Sequence, residues 1–312
     1  VTEPDLSERT WLRPAGLLVM TLALSVSSAG ILVAIPFLAL AMVFGLRSFS
    51  TAAAAILAVL VSMGAMARGG TWYLERGWAV VLAGWFVVAT MRWPTTHFFP
   101  RALGAVFATA LLVTGLLAVQ PGSWTTVDWI VKEGVMGSVS LALGVFRELN
   151  PEGVVPTAVV DTAFETAAQQ GRVFPALLGL SSLTGLAVAW WGYVRLAAGS
   201  DQSLVPLKHF RFNDDLVWLL VVGLALIVLG LGEGWSRTGT NAVVFMGGLY
   251  AVRGAAVLLF FTGGITLFGF LLLLAGMLVL GPVLLMGALV IGVGDTWLDL
   301  RTKAGAISGT KT

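Results

Sequence analysis

Long apolar runs constrain the fold of this chain more than any other feature. They cover about 14–29, 31–46, 50–67, 76–92, 102–119, 172–197, 214–232, 240–262 and 264–294. A helix crosses the roughly 30 Å hydrocarbon layer with about 20 apolar residues, and a helix satisfies its backbone hydrogen bonds within the segment. The sequence therefore predicts an all-α, polytopic transmembrane helical bundle with nine apolar segments and about eight to ten crossings.

Composition supports this class and excludes several kinds of site. The chain is 58% hydrophobic and 11% charged, whereas soluble domains are about 25% charged. It has no cysteine and two histidines, His97 and His209, so we predict neither a metal site nor a cofactor. The net charge of +2 is spread over many loops, and with no basic patch we predict no nucleic-acid partner.

The two ends of the membrane part leave alternatives open. Gly30 and Pro36 interrupt the run 14–46, which favours two short helices over one long helix. The mixed charge before this run favours a retained transmembrane helix over a cleaved signal peptide. In the last run, Pro282 either kinks the helix or divides it into two short helices.

The charged residues and tryptophans indicate where helices leave the membrane. With a cytoplasmic N-terminus and one crossing per run, the positive-inside rule places a set of basic residues inside: Arg47, Arg92, Arg101, Arg195, Lys208 and Arg211. Many of the twelve tryptophans lie near predicted helix ends, which is typical of an interfacial aromatic belt. Trp190 and Trp191 lie deeper and are predicted mainly to pack or face lipid.

Residues 120–171 differ from the rest because they carry more charge. Apolar residues at helical spacing, from Val127 to Val139, predict a first amphipathic helix. Pro156 suits the start and Gly171 the end of a second. We predict that both lie at the membrane surface or fold over the bundle. The chain is thus treated as one integral membrane domain, 1–312, with N-terminal helices 1–119, this surface segment, and C-terminal helices 172–312.

Arg253 is the clearest candidate for a functional charge because it lies well inside a predicted span. A charged side chain there is expensive and should face the bundle interior, find a carboxylate or snorkel. Candidate partners are Asp295, Asp299 and Glu233. Paired with a carboxylate, Arg253 would hold helices in register. Alternatively, Arg253 would serve as the counter-charge for an anionic ligand.

The final stretch GVGDTWLDLR, 292–301, places Asp295 and Asp299 one helical turn apart. Such a pair could bind a cation or exchange protons. Alternatively it is a polar helix end, with Trp297 in the headgroups and Arg301 as an anchor. Earlier in the chain, the adjacent Asp214 and Asp215 are predicted to cap a helix.

Catalytic motifs are not found in the sequence. It contains no Walker A loop, no H-E-x-x-H, and no G-x-S-x-G in strand–turn–helix context. We therefore predict no catalytic residues and no enzyme activity, and the chain cannot drive pumping with ATP by itself.

Four stretches, taken in order, resemble a known family. The first is RVFPALLGLSSLTGLAVAWWGYVRL. It is followed along the chain by PLKHFRFNDDLVWLLVVGLAL, then GLYAVRGAAVLLFF, and finally GDTWLDLR. The order is similar to the YybS-like family of multi-pass bacterial membrane proteins, which has no established activity. Positions that match its motifs are Tyr250, Arg253, Gly254, Asp295, Trp297, Asp299 and Arg301. The family often has Gln where this chain has Arg253.

The resemblance implies a fold related to the substrate-binding subunits of energy-coupling-factor vitamin transporters. It implies a small-solute binding or transport subunit of the bacterial inner membrane that needs a separate energising partner. The candidate ligand-binding residues are then Arg253, Tyr250, Asp295 and Asp299. The alternative is a non-enzymatic membrane scaffold or interaction protein, with 120–171 as its docking surface.

Overall fold

The computed structural model describes residues 12–25, 27–45, 70–149, 157–198 and 204–303, and these residues form helices and turns with no strand. This confirms the all-α class. The predicted span 50–67 lies outside the described residues. The α-helices are α1 (Leu12–Ser25), α2 (Ser28–Leu40), α3 (Gly70–Arg92), α4 (Phe98–Val119), α5 (Ser123–Leu149), α6 (Thr157–Arg172), α7 (Phe174–Tyr193), α8 (Val217–Val228), α9 (Glu233–Phe261) and α10 (Leu267–Leu298).

The chain divides into two compact units. Unit 1 comprises Val1–Phe174 and Ser181–Leu204, and unit 2 comprises Pro175–Leu180 and Val205–Thr312. The described part of unit 1 therefore contains α1 to α6 and most of α7. Unit 2 contains the first turns of α7 with α8, α9 and α10.

Six of the described helices are long and apolar enough to cross a membrane: those at Leu74–Arg92, Phe98–Val119, Ser123–Phe146, Phe174–Leu196, Glu233–Phe261 and Leu267–Leu298. Nine spans are thus not confirmed. The main reason is helix length, because α1, α2 and α8 have 14, 13 and 12 residues. About 20 residues are needed to cross.

The segment 120–171 differs from the prediction in its first half. Helix α5 is continuous over 27 residues, and its apolar part, Ser123–Phe146, has the length and composition of a span. Within that apolar part the charges, Asp128, Lys132 and Glu133, lie in the first three turns, and Arg147 and Glu148 follow it at the C-terminal end of α5. Helix α6 begins after Pro156 and ends near Gly171 as predicted, with Asp161 and Glu165 exposed.

Close backbone contacts shape unit 1. The two predicted helices are present, but the break between α1 and α2 lies at Ser27, and the predicted interruptions Gly30 and Pro36 both fall inside α2. A Cβ on Gly30 would overlap the carbonyl oxygen of Leu24, so the turn needs glycine there. Helix α7 is tied to α3, because Trp78 Nε1 donates to Ser182 Oγ at 2.8 Å.

Helix α9 lies at the centre of unit 2. It packs on α8 where Gly239 faces Gly223, and a Cβ on Gly239 would lie 2.6 Å from the Gly223 carbonyl oxygen. It packs on α10 where Gly254 faces Gly292, and a Cβ on either residue would overlap backbone atoms of the other helix. Small residues at both crossings allow this close approach.

Helix α10 is kinked, which resolves the alternative left open for Pro282. Leu280 has φ −121° and ψ 23°, outside the helical region. Proline removes a backbone donor and its ring crowds the preceding turn, so the helix bends here. The part after the kink carries Gly292 and Asp295 against α9.

Candidate functional site

Arg253 is completely buried, with 0% of its side chain exposed. It lies on the face of α9 that also buries Tyr250, Gly254 and Val257. These positions repeat at three- and four-residue spacing, so they share one side of the helix. The guanidinium is therefore held inside unit 2 and does not snorkel.

Two carboxylates bind this guanidinium in different environments. Arg253 Nε donates to Asp295 Oδ2 at 3.0 Å, and both side chains are 0% exposed. Arg253 Nη1 donates to Asp214 Oδ1 at 2.6 Å, and the Asp214 side chain is 47% exposed. Arg253 thus has a buried inner partner on α10 and a half-exposed outer partner just before α8.

A second arginine completes the set. Arg301 Nη2 donates to Asp295 Oδ2 at 2.8 Å, and Arg301 Nη1 donates to the Phe210 carbonyl oxygen at 2.9 Å. The Arg301 side chain is only 9% exposed. The interpretation of Arg301 as a membrane anchor is therefore wrong: the chain turns after α10 and brings this residue back to Asp295.

We call Asp214, Arg253, Asp295 and Arg301 the charge cluster. Its two cations and two anions balance to zero formal charge. Pairing of this kind offsets much of the desolvation that isolated charges would suffer. Arg253 is consequently neutralised by the protein itself, which bears on any ligand that could bind there.

Aromatic side chains pack beside the charge cluster. The Arg253 guanidinium carbon lies 5.3 Å from the Phe212 ring centroid, within the range of a cation–π contact. The Phe212 ring in turn meets the Tyr250 ring edge-on at 5.1 Å. Tyr250 is 0% exposed, and its hydroxyl is near that of Thr296 without the geometry of a hydrogen bond.

Four buried polar atoms at this site have no hydrogen-bond partner among the described residues: Arg253 Nη2, Asp295 Oδ1, Tyr250 Oη and Thr296 Oγ1. Buried polar groups are usually satisfied, so such a concentration is uncommon. The four supply hydrogen-bond donors and acceptors to whatever occupies the space between them. Within the described part of the chain, no three metal-ligating side chains come together.

The predicted ligand-binding residues are only partly brought together. Arg253, Tyr250 and Asp295 lie at one site. Asp299 instead ends α10 with left-handed backbone, φ 44° and ψ 53°, and its Oδ1 lies 3.1 Å from Arg211 Nη2 in an ion pair without hydrogen-bond geometry. Glu233 precedes Arg253 on the same helix by about 30 Å of helical rise, so it cannot be its partner.

Asp214, Arg301 and Phe212 were missed as members of the site. Asp214 was predicted as a cap, but the side chain that accepts from the Asp215 backbone N–H is that of Asn213, at 3.1 Å. A usable signal was present in the sequence. One buried arginine needs charge compensation, and the segment RFND at 211–214 places cation, ring, amide and carboxylate together just ahead of an apolar helix.

Comparison with known proteins found no matching family model, no matching curated protein and no matching solved structure. Any function must therefore be inferred from the site itself.

Proposed function

We propose that this protein is a non-enzymatic integral membrane protein that binds a small solute carrying a carboxylate or similar anionic group at Arg253. One observation carries the proposal: a fully buried guanidinium whose outer carboxylate partner is half exposed, and whose Nη2 has no hydrogen-bond partner among the described residues. Intramembrane cations that face a bundle interior commonly mark ligand sites.

The two partners of Arg253 differ in how easily they can be exchanged. Asp295 is held by both Arg253 and Arg301 and is 0% exposed, so removing it would leave buried charges unpaired. Asp214 already contacts water with about half of its side chain. A solute carboxylate that displaces Asp214 keeps Arg253 compensated and releases Asp214 to solvent.

The neighbouring groups would add selectivity to such a site. Arg253 Nη2 can donate a second bond, which would make carboxylate binding bidentate. The Tyr250 and Thr296 hydroxyls can donate to or accept from polar groups on the rest of the solute. The solute expected from this set is a small organic acid or a zwitterion that also carries hydroxyl or amide groups.

ATP-driven transport, if it follows binding, would require a separate ATPase protein, since the sequence has no ATPase motif. The resemblance to the YybS-like family and to energy-coupling-factor subunits agrees with such a division of labour. The same resemblance supports the bacterial inner membrane as the location within this proposal. These assignments rest on that resemblance and remain part of the proposal.

A thermal-shift experiment on the purified protein tests solute binding. We expect some members of a panel of carboxylic acids and amino acids to raise the Tm of the wild type. We expect Asp214→Asn to bind the same compounds at least about tenfold more tightly, equivalent to 1.4 kcal/mol, because the internal competitor is weakened. Arg211→Gln, which disrupts the separate pair with Asp299, is the matched control and should bind as the wild type does.

The opposite result is equally clear. If no compound shifts the Tm of the wild type or of Asp214→Asn, and mass spectrometry finds no small molecule in the purified protein, solute binding at Arg253 is excluded for that panel and the proposal fails for it.

A membrane scaffold is the second candidate, favoured by one specific observation. The inner Arg253–Asp295 pair is next to the Gly254–Gly292 crossing, an arrangement suited to fixing α9 on α10. If the protein is a scaffold, we expect that neither the wild type nor Asp214→Asn binds a small molecule. We also expect a protein partner to co-purify with the wild type in stoichiometric amount.

A further inference from the structure

A second buried arginine lies in unit 1, in a setting different from that of Arg253. Arg101 is the fourth residue of α4, which begins at Phe98. It is 7% exposed, and its Nε has no hydrogen-bond partner among the residues that the structure describes.

The contact that holds Arg101 is aromatic. Its guanidinium carbon lies 4.7 Å from the ring centroid of Trp190, which is itself 2% exposed. Trp190 packs in turn against Phe86, Phe98 and Tyr193, with ring centroids 6.0, 6.3 and 5.6 Å away. The guanidinium is thus stacked on a packed aromatic cluster, which fixes its orientation without neutralising its charge.

Among the described helices of this part of unit 1, α1, α2, α4 and α7 contain neither Asp nor Glu. The one acidic residue of α3 is Glu75, which lies near the start of that helix, next to Arg76 and 11 residues before Phe86. Arg101 therefore differs from Arg253, which two carboxylates compensate. A buried cation without a counter-ion is unfavourable, and an anion from outside the chain would remove that penalty.

The backbone adds to the positive potential at Arg101. No side chain caps the N-terminus of α4: the residue at the cap, His97, makes no side-chain cap hydrogen bond. Pro100 has no N–H, so Phe98 and Phe99 supply the free N–H groups of this first turn. These groups and the helix dipole favour an anion at that end. The guanidinium of Arg101 and the N-terminus of α4 thus both contribute positive potential at the start of this helix.

Two neighbouring arginines show how this position differs from an ordinary interfacial pair. Arg92 lies 5.9 Å from the Trp93 ring and Arg195 lies 5.3 Å from the Trp191 ring. Both rings are exposed, by 56% and 50%, as in an aromatic belt at a membrane surface. Because Trp190 contacts both Phe98 and Arg101, the ends of α3, α4 and α7 meet at one place.

We propose that Arg101 and the start of α4 form a binding site for a phosphate-bearing anion. The headgroup of an anionic phospholipid is the source favoured by position, because exposed tryptophans flank the site at a helix end. Arg101 would then hold the phosphate. The site involves unit 1 residues only, so it does not depend on solute binding at Arg253.

Native mass spectrometry of the purified protein in detergent tests the site, with phosphatidylglycerol or phosphatidylcholine added at matched concentrations. For the first lipid molecule bound, we expect the dissociation constant of the wild type to be at least tenfold lower for phosphatidylglycerol than for phosphatidylcholine. Arg101→Gln should lose this preference. Arg195→Gln is the matched control, since it removes an exposed arginine from a similar Arg–Trp pair, and it should change the preference less than threefold.

Two further variants keep the test decisive. Arg101→Lys retains the charge without the planar guanidinium, and it replaces Arg101→Gln in the test if Arg101→Gln does not fold. We expect Arg101→Lys to bind phosphatidylglycerol several-fold more weakly than the wild type does. Asp201, which lies outside the described residues, is the nearest acid in sequence to α7. Asp201→Asn should bind as the wild type, whereas a tenfold gain would identify Asp201 as an internal counter-ion and overturn the proposal.

A second arm distinguishes the source of the phosphate. Inorganic phosphate, titrated to millimolar concentration in the same detergent, should compete weakly with phosphatidylglycerol for a headgroup site. Stabilisation of the wild type but not Arg101→Gln by inorganic phosphate, without any lipid preference, would support the site and assign it to free phosphate. Equal lipid binding by the wild type and Arg101→Gln, with no effect of phosphate, would refute it.

Discussion

At the scale of single residues, Asp295 is the residue on which the charge cluster depends. One of its oxygens accepts from both Arg253, at 3.0 Å, and Arg301, at 2.8 Å. The carboxylate therefore compensates two cations that come from different segments. Asp214, by contrast, contacts only one of them and is half exposed.

Replacing Asp295 by Asn should destabilise the protein strongly, because Arg253 and Arg301 would face one another without the shared anion. Breaking a buried ion pair in this way costs about 3–5 kcal/mol. We expect a clear fall in Tm, measured by thermal unfolding in detergent.

Asp161→Asn, an exposed change on α6, provides the comparison for Asp295→Asn and should alter stability by less than about 0.5 kcal/mol. An unchanged Tm for Asp295→Asn would show that the pair contributes nothing to stability.

The roles of these residues could be predicted only where the cost of burial pointed to them. An arginine in the middle of an apolar run demands compensation, and that reasoning gave Asp295, Asp299 and Glu233 as candidate partners of Arg253. Of the three, the structure pairs Arg253 with Asp295. Asp214 and Arg301 lie at helix ends, where capping and anchoring are the usual roles. Their actual roles depend on how the chain returns to the cluster, which periodicity does not encode.

At the scale of helices, the crossing of α9 and α10 depends on glycine at two facing positions. A Cβ on Gly254 would overlap the Ala288 carbonyl oxygen, and one on Gly292 would overlap that of Tyr250. Because the obstacles are backbone atoms, they cannot move aside as a side chain could. The helices would have to separate, which would also lengthen the Arg253–Asp295 contact.

Gly254→Ala and Gly292→Ala should therefore each lower the Tm, by an amount corresponding to roughly 1–3 kcal/mol for overpacking. Gly287→Ala on the same helix meets no atom within 4 Å, and it should be neutral or slightly stabilising because alanine favours helix. Circular dichroism melts of the three variants make the comparison. Equal Tm values for all three would mean that the crossing is looser than described.

At the scale of the whole molecule, the path of α5 decides how many times the chain crosses the membrane. The charge in 120–171 led to the prediction of a surface segment, and only the continuous 27-residue helix revealed enough apolar length for a span. Helical class was predictable from the runs alone. The number of crossings was not, because a few charges near the two ends of a helix resemble an amphipathic pattern.

Cysteine labelling tests this path, since the native chain has no cysteine. If both α4 and α5 cross, single cysteines at Thr95 and Glu148 should react with a membrane-impermeant maleimide from the same side of the membrane. A cysteine at Gln120 should react from the other side. Labelling of the Gln120 and Glu148 positions from one side would place α5 on the membrane surface.

The partners of Arg253 also have an order in time during synthesis. Asp214 precedes Arg253 by 39 residues and Asp295 follows it by 42. A central arginine raises the free energy of inserting a helix by about 2.5–3.5 kcal/mol on translocon scales. The outer carboxylate is thus already made when α9 emerges from the ribosome, and the inner one arrives only with α10. Asp214 can therefore act as a provisional counter-ion that keeps α9 in the bilayer until its permanent partner has been translated.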